Sequence, residues 1–174
     1  MSDAIVPDTK DWTWVLERPC PECGYAAADG DPFAVGDVVR SVVPRWEAVL
    51  SRADVRERPA PDVWSPLEYA AHVRDVFRVF DGRLRLMIEE NDPEFPDWDQ
   101  DAAAVAEDYG NQDPAVVAAE LVAAGAAVAD RFDAVFPEQL ERRGLRSNGS
   151  EFTVRTLGQY FLHDLVHHLH DVAA

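Results

Sequence analysis

YFLHDLVHHLHD, residues Tyr160 to Asp171, holds four of the chain's five histidines: His163, His167, His168 and His170. Read as a helix, its turn of about 3.6 residues puts His163, His167 and His170 on one stripe and turns His168 away. His163 and His170 then stand roughly 10 Å apart along the axis. That is too far for one ion, whose nitrogens must lie at about 2.0 to 2.1 Å. Residues four apart are neighbours on a helix surface, so His163 and His167 can converge. One ligand from another helix would complete a three-histidine set with an open position, the arrangement in which a divalent metal activates water. His72, within WSPLEYAAHVRD at residues 64–75, is the remaining histidine far enough along the chain to supply it. His167 with His170 is an alternative pair. A plainer reading also exists, since cationic rings at His167, His168 and His170 are favourable near a helix C-terminus.

The flanking sequence predicts where these helices lie. Ser65, Pro66, Leu67 and Glu68 form a capping box with proline at its first position, so a helix should run from Pro66 to about Glu90. An earlier helix is expected from an Asp31 cap and Pro32, with Val35, Val38, Val39, Val42, Trp46, Val49 and Leu50 on its buried face. Pro44 should kink or split it. Asp113 and Pro114 open a third helix to about Val135, in which Gly125 and several alanines let a neighbour approach. Thr153 caps the last, about Val154 to Val172. Before it, Asn148 and Gly149 are a hairpin turn signal for a short β-ribbon.

Residues 91–112, acidic and broken by Pro93 and Pro96, are long for a plain connection and suggest a crossover or lid. Phe95 and Trp98 could anchor that segment. Asp97, Asp99 and Asp101 read as solvated acids within reach of a metal. Residues 1–30 form an irregular arm in which Trp12 and Trp14 should cover apolar surface. Its Cys20-Pro-Glu-Cys23-Gly turn resembles half of a zinc knuckle whose second half is not nearby. Two ordinary thiols, a redox pair, or thiolates lying near the histidines are all compatible with it.

Composition narrows the partners. The 174 residues suit one domain with a proper core, 1–174, and a hydrophobic content of 47% fits a soluble protein. A formal charge of −17 argues against nucleic acid and anionic membranes, which are bound by lysine and arginine. No apolar run approaches the roughly 20 residues that span a bilayer, and the first residues lack the blocks of a secretion signal. A cytoplasmic protein with reduced cysteines is expected. Gly-rich phosphate loops and nucleophile elbows are absent from the sequence.

Trp64-Ser65-Pro66 followed by Leu67-Glu68-Tyr69-Ala70-Ala71-His72, together with a terminal His163-x-x-x-His167, resembles the DinB-like (damage-inducible) superfamily over about residues 32–172. The resemblance implies an all-α four-helix bundle in up-down-down-up order, with 91–112 as the long crossover. It also implies a divalent ion, commonly zinc, nickel or iron, held by His72, His163 and His167, and a homodimer. Family members include hydrolases and transferases or isomerases that use a low-molecular-weight thiol such as mycothiol. The expected function is therefore a metal-dependent hydrolase or thiol S-transferase acting on a small molecule. The competing class is a non-catalytic metal- or ligand-binding stress protein with a structural metal. Glu68, Asp75 and Asp164 are the acids placed to serve as a base or to orient a ligand ring.

Overall fold

The computed structural model describes residues 5–174. Four long helices make the body: α1 (Val35–Leu50), α2 (Pro66–Glu89), α4 (Pro114–Asp133) and α5 (Val154–Asp171). Helix α4 packs most extensively on α2 and α1, and α5 closes the bundle against both. At the centre, the Phe161 ring stacks on Phe132 and Phe80 and meets Phe77 edge-on. These offset and T-shaped arrangements are those that aromatic quadrupoles favour. None of the helices among the described residues is long and apolar enough to cross a membrane.

The capping chemistry sets the boundaries. Ser65 and Glu68 exchange both capping-box bonds, and Pro66 occupies the first turn of α2. Asp113 accepts from the Ala115 N–H, and Thr153 caps α5. Helix α1 begins later than its sequence suggests. The Asp31 carboxylate accepts from the Phe33 N–H and its carbonyl from the Ala34 N–H, which closes a separate turn ahead of Val35. Pro44 does not split α1, which runs unbroken through it. Its ring is on the exposed face, where water can take up the carbonyl it leaves free.

The crossover between α2 and α4 is structured. It contains β1 (Glu94–Phe95) and the short helix α3 (Gln100–Ala106). The hairpin ahead of α5 consists of β2 (Arg143–Arg146) and β3 (Glu151–Thr153), turning at Gly149 with φ +96°. Strand β1 joins β2 in parallel, so the crossover is stitched to the hairpin as a three-stranded sheet. Phe95 is buried as an anchor, while Asp97 faces Arg146 and Asp99 caps α3.

Glu68 is fully occupied by structure. Besides the Ser65 backbone N–H, its carboxylate takes two bonds from Arg58. Burial works to raise its pKa, but the Arg58 and Ser65 bonds outweigh it and hold the carboxyl below the ordinary glutamate value. A depressed folded pKa means that this stabilisation is complete above the unfolded value and fades as pH falls through the folded one. Glu68→Gln should therefore lower stability by about 1 to 3 kcal/mol at neutral pH. In paired denaturant titrations the gap between parent and variant should shrink in acid. A constant gap from neutrality down to strongly acidic pH would show that the charge of Glu68 contributes nothing.

Candidate metal centre

His72 lies two turns into α2, and its side chain is 0% exposed. Trp98 from the crossover stacks on its ring at 5.4 Å with an interplanar angle of 11°, and Trp64 packs on it at 5.3 Å. Neither ring nitrogen has a hydrogen-bond partner among the described residues. Buried imidazoles seldom lack both partners, because each unsatisfied group carries a penalty of about 1 to 3 kcal/mol. His72 faces α5, where Asp164 and His168 form a pair four residues apart.

The Asp164 Oδ1 lies 2.8 Å from His168 Nε2 and 3.7 Å from His72 Nε2. One ligand atom from each of the three residues falls within 4.8 Å of the others. Donors held at about 2.0 to 2.2 Å from a shared ion stand about 3 to 3.5 Å from one another, so the set fits a divalent metal with little movement. On its far side, His168 Nδ1 meets Asp171 Oδ2 at 2.8 Å. This is the carboxylate contact that fixes the tautomer of a ligating histidine.

The electrostatics are those of a cation site. Burial disfavours a charged His168, but Asp164 and Asp171 outweigh it and raise its pKa to about 9. Burial would raise Asp164, yet His168 and His72 hold it well below the ordinary carboxylate range. In His72, with the same burial and weaker opposition from Asp164, the neutral ring is favoured.

The expected triple divides between two clusters. His163 and His167 do converge, with ring centroids 5.0 Å apart, but they meet Cys20 and Cys23 rather than His72. His168, expected to turn away, instead faces His72, with ring centroids 4.7 Å apart. The cause is the N-terminal arm. Successive helical positions are turned by about 100°, so the pairs 163/167 and 164/168 occupy adjacent stripes of α5. Cys20, Trp12 and Tyr25 cover the first stripe, which buries His163 and His167 away from α2. His170 is exposed and belongs to neither cluster. Paired-histidine spacing does not reveal Asp164 with His168, because one member of the pair is a carboxylate, which the sequence places only as a base or an orienting acid. The x-x-x spacing was nonetheless present.

Asp75 does not reach the centre. It is engaged by Arg74, Arg78 and the Tyr109 hydroxyl. A cleft of about 300 Å³ opens onto both histidine clusters. Its walls bear Asp8, Glu22, Asp62, Asp101, Asp164 and Asp171 against a single lysine, Lys10.

The fold is a helical bundle that carries, beside the cleft, a buried cluster of imidazole and carboxylate able to hold a metal ion. The DinB superfamily profile matches residues 26–172, and the chain belongs to that superfamily. Among solved structures it resembles YfiT from Bacillus subtilis, with a TM-score of 0.67 and 18% identity, over 80% of this chain and 81% of that one. YfiT is described as a probable metal-dependent hydrolase with an unusual four-helix bundle topology. No curated protein sequence matches the chain.

Proposed function

We propose that this protein is a divalent-metal-dependent hydrolase whose ion is held by His72, Asp164 and His168. The observation that carries the reading is the fully buried His72 ring, both nitrogens without hydrogen-bond partners among the described residues, directed at an aspartate and a second histidine. Three protein donors beside an open cleft leave coordination positions free, as catalytic sites do and closed structural sites do not. The description of YfiT as a probable metal-dependent hydrolase supports the same chemistry.

A bound divalent ion supplies Lewis acidity there, lowering the pKa of water and polarising an acyl oxygen. The chain's own groups do the rest. Asp171 orients His168, and Trp98 and Trp64 shield His72 from solvent. Asp101 lines the cleft, and burial, helped by the charges of Asp99 and Asp8, raises its carboxyl above the usual value against the hydrogen bond it accepts from the Asp8 backbone N–H. Its place on the cleft wall is the ground for assigning Asp101 the exchange of a proton with substrate. The acidic walls select a neutral or cationic substrate over a phosphate or polycarboxylate.

Elemental analysis of untagged protein, run beside a panel of neutral and cationic esters and amides, tests the proposal. A thiol-adduct arm covers the low-molecular-weight thiol that the family resemblance implies. Hydrolysis should disappear with a chelator and return with added metal. His72→Ala should lose both the activity and the ion of this centre. Retention of parental metal and activity by that variant would overturn the assignment. Asp171→Asn should weaken metal affinity about 10- to 100-fold, as loss of an orienting carboxylate does. Competition with a chromophoric chelator measures it, and an unchanged affinity would remove Asp171 from the site.

A further inference from the structure

Cys20 and Cys23 lie in a tight turn closed by the Gly24 N–H on the Cys20 carbonyl and the Cys20 N–H on the Tyr25 carbonyl. Gly24 takes φ +76°, which a side chain would resist. Both cysteines are free thiols. Opposite them stand His163 and His167, 5% and 7% exposed. One ligand atom from each of these four residues lies within 4.8 Å of the others. Cys20 Sγ and His167 Nδ1 are 3.7 Å apart. Around tetrahedral zinc, with sulfur at about 2.3 Å and nitrogen at about 2.0 to 2.1 Å, that separation is about 3.5 Å.

Two further observations point to a ligand. One ring nitrogen of His163 belongs to this cluster, and its Nε2 is buried with no hydrogen-bond partner among the described residues. His167 Nε2, on the side of the ring away from Cys20, is approached by Glu22 Oε2 at 3.5 Å and Asp171 Oδ1 at 3.8 Å. Carboxylates so placed are what orient a ligating ring.

We propose that Cys20, Cys23, His163 and His167 form a second, closed metal site that takes zinc and clamps the N-terminal arm to α5. The donor set is two sulfurs and two nitrogens at Cys-x-x-Cys and His-x-x-x-His spacing, the preference of structural zinc. Two thiolates balance the charge of the ion, so the buried site is neutral when filled. Loading displaces one proton from each cysteine to solvent, with no change of oxidation state. Four protein ligands leave no position for substrate, which separates this site from the open centre of His72, Asp164 and His168. The ion holds in place the arm residues Trp12 and Glu22 that line the cleft.

The test uses full-length protein freed of metal and titrated with zinc or cobalt(II). The parent should bind cobalt with an intense sulfur-to-metal charge-transfer band in the near ultraviolet and tetrahedral d–d bands. That signature should be lost in Cys20→Ser and in Cys23→Ser and retained in His72→Ala. Zinc should protect both parental thiols from alkylation. If a serine variant does not fold, the parent's cobalt spectrum and thiol protection decide the matter alone. Absence of the sulfur band, or equal alkylation rates with and without zinc, would overturn the proposal. Failure of the hydrolase reading would instead appear as a sulfur band present in a protein whose His72→Ala variant binds as many ions as the parent.

Discussion

His72→Phe should yield a protein that, stripped of metal, melts above the parent yet has lost metal-dependent hydrolysis altogether. A phenyl ring fills nearly the same space between Trp98 and Trp64 while removing two buried nitrogens that have no partners. Relieving such groups is worth about 1 to 3 kcal/mol. For a chain of this size that corresponds to a rise of about 2 to 10 °C. Adding metal should then stabilise the parent more than the variant, because only the parent keeps the open centre. Thermal melts in chelator and in metal-replete buffer measure both effects. A variant less stable than the parent in chelator would mark His72 as an ordinary packing residue. Residues selected for chemistry rather than stability are the ones whose removal stabilises.

Asp75→Ala should produce the largest loss of stability. The Asp75 carboxylate receives a bidentate pair of bonds from Arg74, both at 2.9 Å, and the Tyr109 hydroxyl at 2.6 Å. Arg74, itself buried, also donates to Gln112 and Glu120 at 2.8 Å. The cluster thus ties α2 to the end of the crossover and to α4. Burial alone would raise the Asp75 carboxyl, but Arg74 and Tyr109 keep it below its ordinary value. Deleting the acid removes the bidentate partner of a buried guanidinium and leaves it Gln112 and Glu120, a loss at the lower end of the about 3 to 5 kcal/mol that breaking a buried pair costs. A fall in melting temperature on the order of 10 °C follows. The crossover carries Trp98, so metal affinity at the His72 centre should weaken in the same variant. A shift within about 1 °C, with unchanged affinity, would show that the cluster is marginal at the surface and uncoupled from the site.

The bundle was legible because its signals are local. Ser65 with Glu68, Asp113 with Pro114, and Asn148 with Gly149 each act within a few residues of the backbone they shape. Asp31 with Pro32 is of the same kind, yet it closes a turn of its own rather than starting α1. The centre was half legible. His72, which its helical stripe places near the core edge, is fully buried and faces the last helix, and the rings of His163 and His167, four residues apart, lie side by side. Which stripe of α5 meets α2 depended on what covers the other stripe. That cover is Cys20, 147 residues from His167 in sequence, in an arm with no periodicity to orient it. The same distance explains why the CPECG turn looked unpaired: its complement is far along the chain.

Helix α5 carries two donor pairs offset by a single position. Shifting that helix by one residue, so that each side chain takes its successor's place, would trade Asp164 and His168 for His163 and His167 against α2. Inserting one amino acid between the hairpin and Leu162 would thus put the two imidazoles where the aspartate and imidazole now stand, and deleting one would put Leu165 and Leu169 there. Both ions would be misplaced together, so α5 is the segment where this chain has least tolerance for a change in length.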